Sequence, residues 1–286
     1  MSRSVLHVIV DDLRPELGAY GLNNRSTPTI DALAAAGTTF DRAYAQQAVC
    51  GPSRNSFLSG RRPDASRSWN FINHFREDHP EWTSLPGLFL RAGRLALGSG
   101  KVYHPKLPPA YDGDKSWSAE ALPYRNPCWN TADDTNASFQ DGGLPCIPCL
   151  IDIKGYLFHD ANISVVDDYC EGDALEDTFT VSDAIRLLRK VGSKPFYLAV
   201  GLHKPHLPWQ ASSDDFDKHP LSGVELPTHK TPPLGMPSIA FHFTDEKAHD
   251  DPWSPIDDNG MRKARRAYYA AVTGMDRKLG KLLDEL

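Results

Sequence analysis

Cys50-Gly51-Pro52-Ser53-Arg54 is the stretch whose residue types and spacing could do chemistry. Proline suits the first turn of a helix, where its missing N–H is not needed and its φ is already helical. A helix is therefore predicted from Pro52 to about Leu58, ended by Gly60. Cys50 then sits at the positive end of the helix dipole, beside backbone N–H groups that can hold an anion. Arg54, about one turn on, adds a permanent charge whose forked donors suit sulfate, phosphate or carboxylate. The ordinary alternative is a buried structural cysteine before a helix, and five residues alone do not decide between the two.

Three other groups of reactive side chains follow apolar runs. Val5 to Val10 reads as a buried, parallel strand that stops at Asp11-Asp12. Adjacent carboxylates repel each other and are costly there unless a cation holds them; their oxygens suit calcium, or less well magnesium. A helix cap or turn is the plain alternative. Leu95 to Gly98 is predicted as a second strand, with Lys101 and His104 just beyond it. A lysine there can neutralise an anionic oxygen and a histidine can move a proton. Singly, each is no more than a surface lysine or a structural histidine. Pro195 to Gly201 is a third strand, and it delivers His203-Lys204-Pro205-His206. Open α/β sheets bind ligands at the carboxyl ends of their strands. Three independent strands ending in this way are hard to explain as packing accidents.

Helices between the strands must hold these ends in place. Thr27-Pro28-Thr29 opens one that runs through Ile30, Leu33 and Ala34 to Gly37, with apolar spacing suited to packing on a sheet. Others are predicted over Ser84–Ala92, Asp177–Val191 and Met261–Leu286. The fold class is α/β, with a mostly parallel central sheet flanked by helices. Residues 1–286 are read as a single domain with an irregular excursion over about 107–173, rich in Pro, Gly, Asp and Asn. Hydrophobic residues make up 40%, enough for a proper core, and the formal net charge of -6 argues against a nucleic-acid partner. No apolar run is long enough to span a bilayer.

The cysteines point to an oxidising compartment. Cys128, Cys146, Cys149 and Cys170 form an even set in the loop-rich excursion; they permit three pairings, and the sequence does not choose among them. A Cys146–Cys149 zinc or redox site is disfavoured by Pro145 and Pro148. Asn24, Asn136 and Asn162 head formal N-glycosylation triplets, which are common by chance. The chain enters its first strand at Val5, with no export signal before it.

Cys50-x-Pro52-Ser53-Arg54 followed by Gly60-Arg61 resembles the sulfatase signature, and the likeness is continuous over about the first sixty residues. The resemblance implies an alkaline-phosphatase-like fold. It implies that Cys50 is oxidised to formylglycine, so a formylglycine-generating enzyme is an expected partner. It implies an active-site calcium held by Asp11, Asp12 and the modified Cys50. Lys101 and His104 resemble the family's sulfate-binding lysine and active-site histidine. The segment FYLAVGLHKPHLPW resembles the iduronate-2-sulfatase branch, which gives His203 the place facing the sulfate ester. His206 and Lys204 remain as substrate or supporting groups.

The expected activity is hydrolysis of a sulfate ester on a sugar or glycosaminoglycan, in a lysosomal or secreted protein. Sulfatases continue past the last helix into a strand with further calcium ligands and another lysine, so the fold is expected to be incomplete at the C-terminus. A truncated gene product with little turnover of its own is the expectation that follows. The rivals are a phosphodiesterase or phosphonate hydrolase of the same superfamily, and a non-catalytic remnant that binds anionic glycans.

Overall fold

The run Phe196–Leu202 is apolar throughout because it forms the middle strand of a parallel sheet covered on both faces. The computed structural model describes residues 3–22, 24–105, 107–119, 163–165, 176–207, 209–230, 233–237 and 257–286. Cys128, Cys146, Cys149 and Cys170, and with them the expected disulfides, lie outside the described residues. So do Asn136, Asn162 and most of the expected excursion.

In chain order the strands are β1 (Val5–Val10), β2 (Leu95–Gly100), β3 (Ile163–Val165), β4 (Phe196–Leu202) and β5 (Trp209–Ala211). The helices are α1 (Pro28–Ala36), α2 (Cys50–Ser59), α3 (Pro63–Ser66), α4 (Phe75–Asp78), α5 (Leu85–Arg91), α6 (Gly113–Ser116), α7 (Glu176–Val191), α8 (Ser213–Asp217) and α9 (Asp258–Leu283). The main sheet has the order β1-β4-β2, all parallel, and β3 pairs with β5 in a separate parallel ladder.

Register decides where the chemistry falls. Val10 pairs with Leu202, and Gly100 pairs with Gly201. Asp11, Lys101 and His203 therefore emerge side by side at one edge. The ladder extends one step into them: Asp11 N donates to Leu202 O at 3.1 Å, and Lys101 N to Gly201 O at 2.8 Å. Glycine is required at this crossing. A Cβ on Gly201 would lie 2.1 Å from the Lys101 carbonyl, and Gly100 holds φ +70, a conformation that L side chains rarely adopt.

Side chains alternate along β4, and each face has its own cover. Leu198, Val200 and Leu202 pack with Leu187 and Leu188 of α7 and with Val272, Met275 and Leu279 of α9. Tyr197 and Ala199 pack on the other face with Leu58 of α2, Phe75 of α4 and Phe89 of α5. No helix among the described residues is long and apolar enough to cross a membrane.

Local departures from the sequence reading have identifiable causes. The helix predicted from Pro52 starts at Cys50, which makes Pro52 its third residue. The first turn leaves its N–H groups without helical partners, so proline is tolerated there as well as at the first position. Gly60 ends the helix in the left-handed conformation, as expected. The last helix begins at Asp258, ahead of Met261, because the Asp257 carboxylate accepts from Gly260 N at 2.6 Å. The helix opened at Thr27 was expected to pack on the sheet; it packs instead on the turn at Gly18–Tyr20 and on α9, and none of its residues is buried. The Asp276 carboxylate of α9 accepts from Thr29 N at 3.0 Å and Ile30 N at 2.8 Å, capping that helix from outside.

Candidate active site

Asp11 is a carboxylate only 3% exposed, and two cations hold it. Arg54 donates to its Oδ1 at 2.9 Å, and Lys101 Nζ donates to its Oδ2. Arg54 also reaches back to the sheet edge, donating to Val102 O at 2.9 Å and to the Lys101 carbonyl. Its remaining Nε is buried without a hydrogen-bond partner. Burial alone would raise the Asp11 pKa; Arg54 and Lys101 outweigh it and bring it down to about 2.

Cys50 opens α2 one turn before Arg54 and is in no disulfide. Its charge environment includes Lys101, Asp11, Arg54 and Asp12. Burial pushes the thiol pKa up from 9.0, against the pull of Lys101, so it is protonated at neutral pH. A protonated thiol is a weak nucleophile. The helix N-terminus and two cations are therefore in place, yet they do not activate this cysteine as a thiolate.

Strand β4 brings His203 and Lys204, both almost fully buried. Burial, then Lys204 and Lys101, lowers the His203 pKa to about 2, so its imidazole is neutral. Its ring lies 4.6 Å from that of His206, and His206 Nε2 is 3.9 Å from an Asp12 oxygen. His104 lies at the rim, where its ring faces Phe71 at 4.9 Å and its Nδ1 is 3.0 Å from Pro105 O. Burial and the charge of Lys101 lower its pKa to about 4.

Asp11, His203 and His206 each offer a ligand atom within 4.8 Å of the others, with Asp12 beside His206. The carboxylates Asp11 and Asp12 are hard oxygen donors of the kind calcium takes. Each Asp11 oxygen accepts one hydrogen bond, from Arg54 or Lys101, and keeps a second lone pair. The two carboxylates fit as part of a shell of about six to eight oxygens.

Two features were not singled out in the sequence. Asp177, fully buried at the start of α7, accepts from His203 N at 2.6 Å and Lys204 N at 2.9 Å. It thereby fixes the backbone that presents both side chains. Glu176 beside it lies 3.6 Å from His203 Nδ1. An acidic residue in a helix's first turn is so ordinary that its type carries no signal. Tyr268 of α9 donates to Asp12 O at 2.8 Å and accepts from Arg14 N at 2.8 Å. It pins the turn in which Asp12 adopts a φ of 55. A tyrosine in an amphipathic helix reads as core, so this contact is visible only in three dimensions.

The sheet and its helices match the phosphonate monoester hydrolase of Agrobacterium radiobacter with a TM-score of 0.64 at 18% identity, over 99% of this chain and 59% of that one. They match Ps i-CgsB at 0.59 and 19%, over 100% and 55%. The fold is thus alkaline-phosphatase-like. A family profile described as Sulfatase matches residues 3–100. Iduronate 2-sulfatases of Mus musculus and Homo sapiens are each 34% identical over 99% of this chain and 51% of theirs. The N-terminal part of the chain thus matches the sulfatase family, and nearly the whole chain is similar to two of its members. It spans about half the length of the curated relatives it matches.

Proposed function

We propose that the protein is a sulfuric ester hydrolase acting on a sulfated sugar, and that Cys50 is its nucleophile after oxidation to formylglycine. The observation that carries this reading is the charge environment Cys50 shares with Asp11, Arg54 and Lys101 at the mouth of the sheet. A thiol kept protonated there makes sense if the reacting group does not need to ionise as a thiolate. Formylglycine supplies a hydrated aldehyde, a nucleophile that can also release sulfate as the aldehyde re-forms.

Arg54 and Lys101 offset the negative charge of the sulfate oxygens, with Arg54 Nε still available as a donor. His203 protonates the leaving alcohol. Burial, and after it the charges of Lys204 and Lys101, keep its imidazole neutral in the ligand-free state. An arriving anion raises its proton affinity by partly cancelling those charges. His104 is the second proton-handling group. Asp11, Asp12 and the modified Cys50 would hold a calcium ion, which supplies positive charge at the sulfate. A formylglycine-generating enzyme is the implied partner, and a lysosomal or secreted location follows from the same kinship.

The fold is shared with phosphonate monoester hydrolases, which keeps phosphoryl chemistry as the second reading. The likeness in sequence to iduronate 2-sulfatases favours sulfate. The test is to express the chain with a formylglycine-generating enzyme and compare aryl sulfate with aryl phosphate, with and without EGTA. Faster, EGTA-sensitive cleavage of the sulfate is expected. Preference for the phosphate supports the second reading, and glycan binding with no turnover supports a non-catalytic protein.

A further inference from the structure

Phe71 is an aromatic ring half in solvent, beside Gly51, the neighbour of Cys50, and His104 of the proposed site. It is 51% exposed. On one side it lies against the first turn of α2: a Cβ on Gly51, next to Cys50, would come within 3.0 Å of Phe71 Cδ1. On the other, its ring centroid is 4.9 Å from that of His104.

The loop that carries Phe71 is built to hold it there. Asn70 Oδ1 accepts from Ile72 N at 2.8 Å and Asn73 N at 3.2 Å, fixing the turn around the ring. Asn55 of α2 then joins helix to loop. Its Nδ2 donates to Gly51 O at 3.0 Å, and its Oδ1 accepts from Phe75 N at 3.3 Å. Ser68 and Phe75, on either side, are fully buried. The ends of this loop are anchored by packing and hydrogen bonds, and among the described residues the ring stands half in solvent beside the anion site.

We propose that Phe71 is the wall of a sugar-ring subsite beside Cys50, stacking on the pyranose that bears the ester. This rests on the sulfatase reading of the site. A pyranose face presents a flat patch of C–H groups, and the negative face of an aromatic ring attracts their hydrogens. The ring is pre-positioned, so little conformational freedom is lost on binding. Arg54 and Lys101 take the sulfate and Phe71 takes the ring, which selects sulfated cyclic sugars over sulfated alkyl alcohols.

The test is calorimetric titration of the full chain with glucose 6-sulfate and with ethyl sulfate, which carry the same charge. Phe71→Ala should weaken glucose 6-sulfate about tenfold and leave ethyl sulfate within about twofold. Phe71→Tyr keeps the ring and should bind both as the unaltered protein does. Ile72→Ser, on the same loop and 76% exposed, should change neither. Equal losses for both esters, no loss for the sugar, or an equal effect of Ile72→Ser overturns the subsite. Failure of the unaltered protein to bind either ester overturns the sulfatase reading, and the subsite with it.

Discussion

Replacing Arg54 with methionine keeps the approximate volume of the side chain and removes its charge and its donors. Arg54 is 2% exposed and donates to Asp11 Oδ1, to Val102 O and to the Lys101 carbonyl. Asp11 would keep Lys101 alone, and two carbonyls at the sheet edge would lose a donor. Removing one partner of a buried ion pair costs about 3–5 kcal/mol, and the carbonyl bonds overlap with that figure. With a urea dependence of about 2–3 kcal/mol per molar, the unfolding midpoint should fall by about 1.5 M at unchanged slope. Arg54→Lys should recover part of the loss, because one ammonium cannot serve Asp11 and the carbonyls in the same fork. Tryptophan fluorescence at pH 7 reads the transition. A midpoint within about 0.3 M of the unaltered protein would refute the view that Arg54 ties α2 to the sheet edge.

Two further outcomes are expected. Asp177→Asn should speed hydrogen exchange at the His203 and Lys204 amides about tenfold or more, with β1 amides unchanged, because Asp177 accepts from those two N–H groups; equal effects throughout the sheet would deny it the local role. His219, far in sequence from the proposed site residues, bonds Thr273 Oγ1 at 2.8 Å, and burial, then Arg25, lowers its pKa from 6.5 to about 4. The unfolded chain therefore takes up this proton first as pH falls. Its contribution to stability is complete above about pH 6.5, declines down to about pH 4 and is constant below. Urea midpoints at pH 7 and pH 5 should differ less in His219→Gln than in the unaltered protein.

Much of the sheet edge was legible because its signals are local. Phe196–Leu202 is an apolar run and Val5–Val10 is one interrupted only by His7, and each ends abruptly in groups that dislike burial. Such a change of residue type marks both a strand and its carboxyl end. Lys101 was harder: Leu95–Gly98 was expected as the strand, and it runs to Gly100 because two glycines let β2 and β4 approach closely. That approach puts Lys101 directly against Asp11. Asp177 and Tyr268 could not be read in advance. Their contacts span 26 and 256 residues, and neither type is unusual where it stands. The same holds for Phe71, whose place beside Gly51 depends on the Asn55 bridge across the α2 helix. The expected metal ligands Asp11 and Asp12 share a strand end, but their relation to His203 and His206 is set by how β1 and β4 pair.

Formylglycine at Cys50 can be read directly as a change in peptide mass. The chain should be expressed in a eukaryotic secretory pathway with an added signal peptide, digested with trypsin and analysed by mass spectrometry. Cleavage after Arg42 and Arg54 releases residues 43–54 as one peptide containing Cys50. The expected peptide has lost the thiol sulfur and two hydrogens and gained an aldehyde oxygen. Unmodified cysteine, in cells where a control sulfatase is converted, would contradict formylglycine at Cys50.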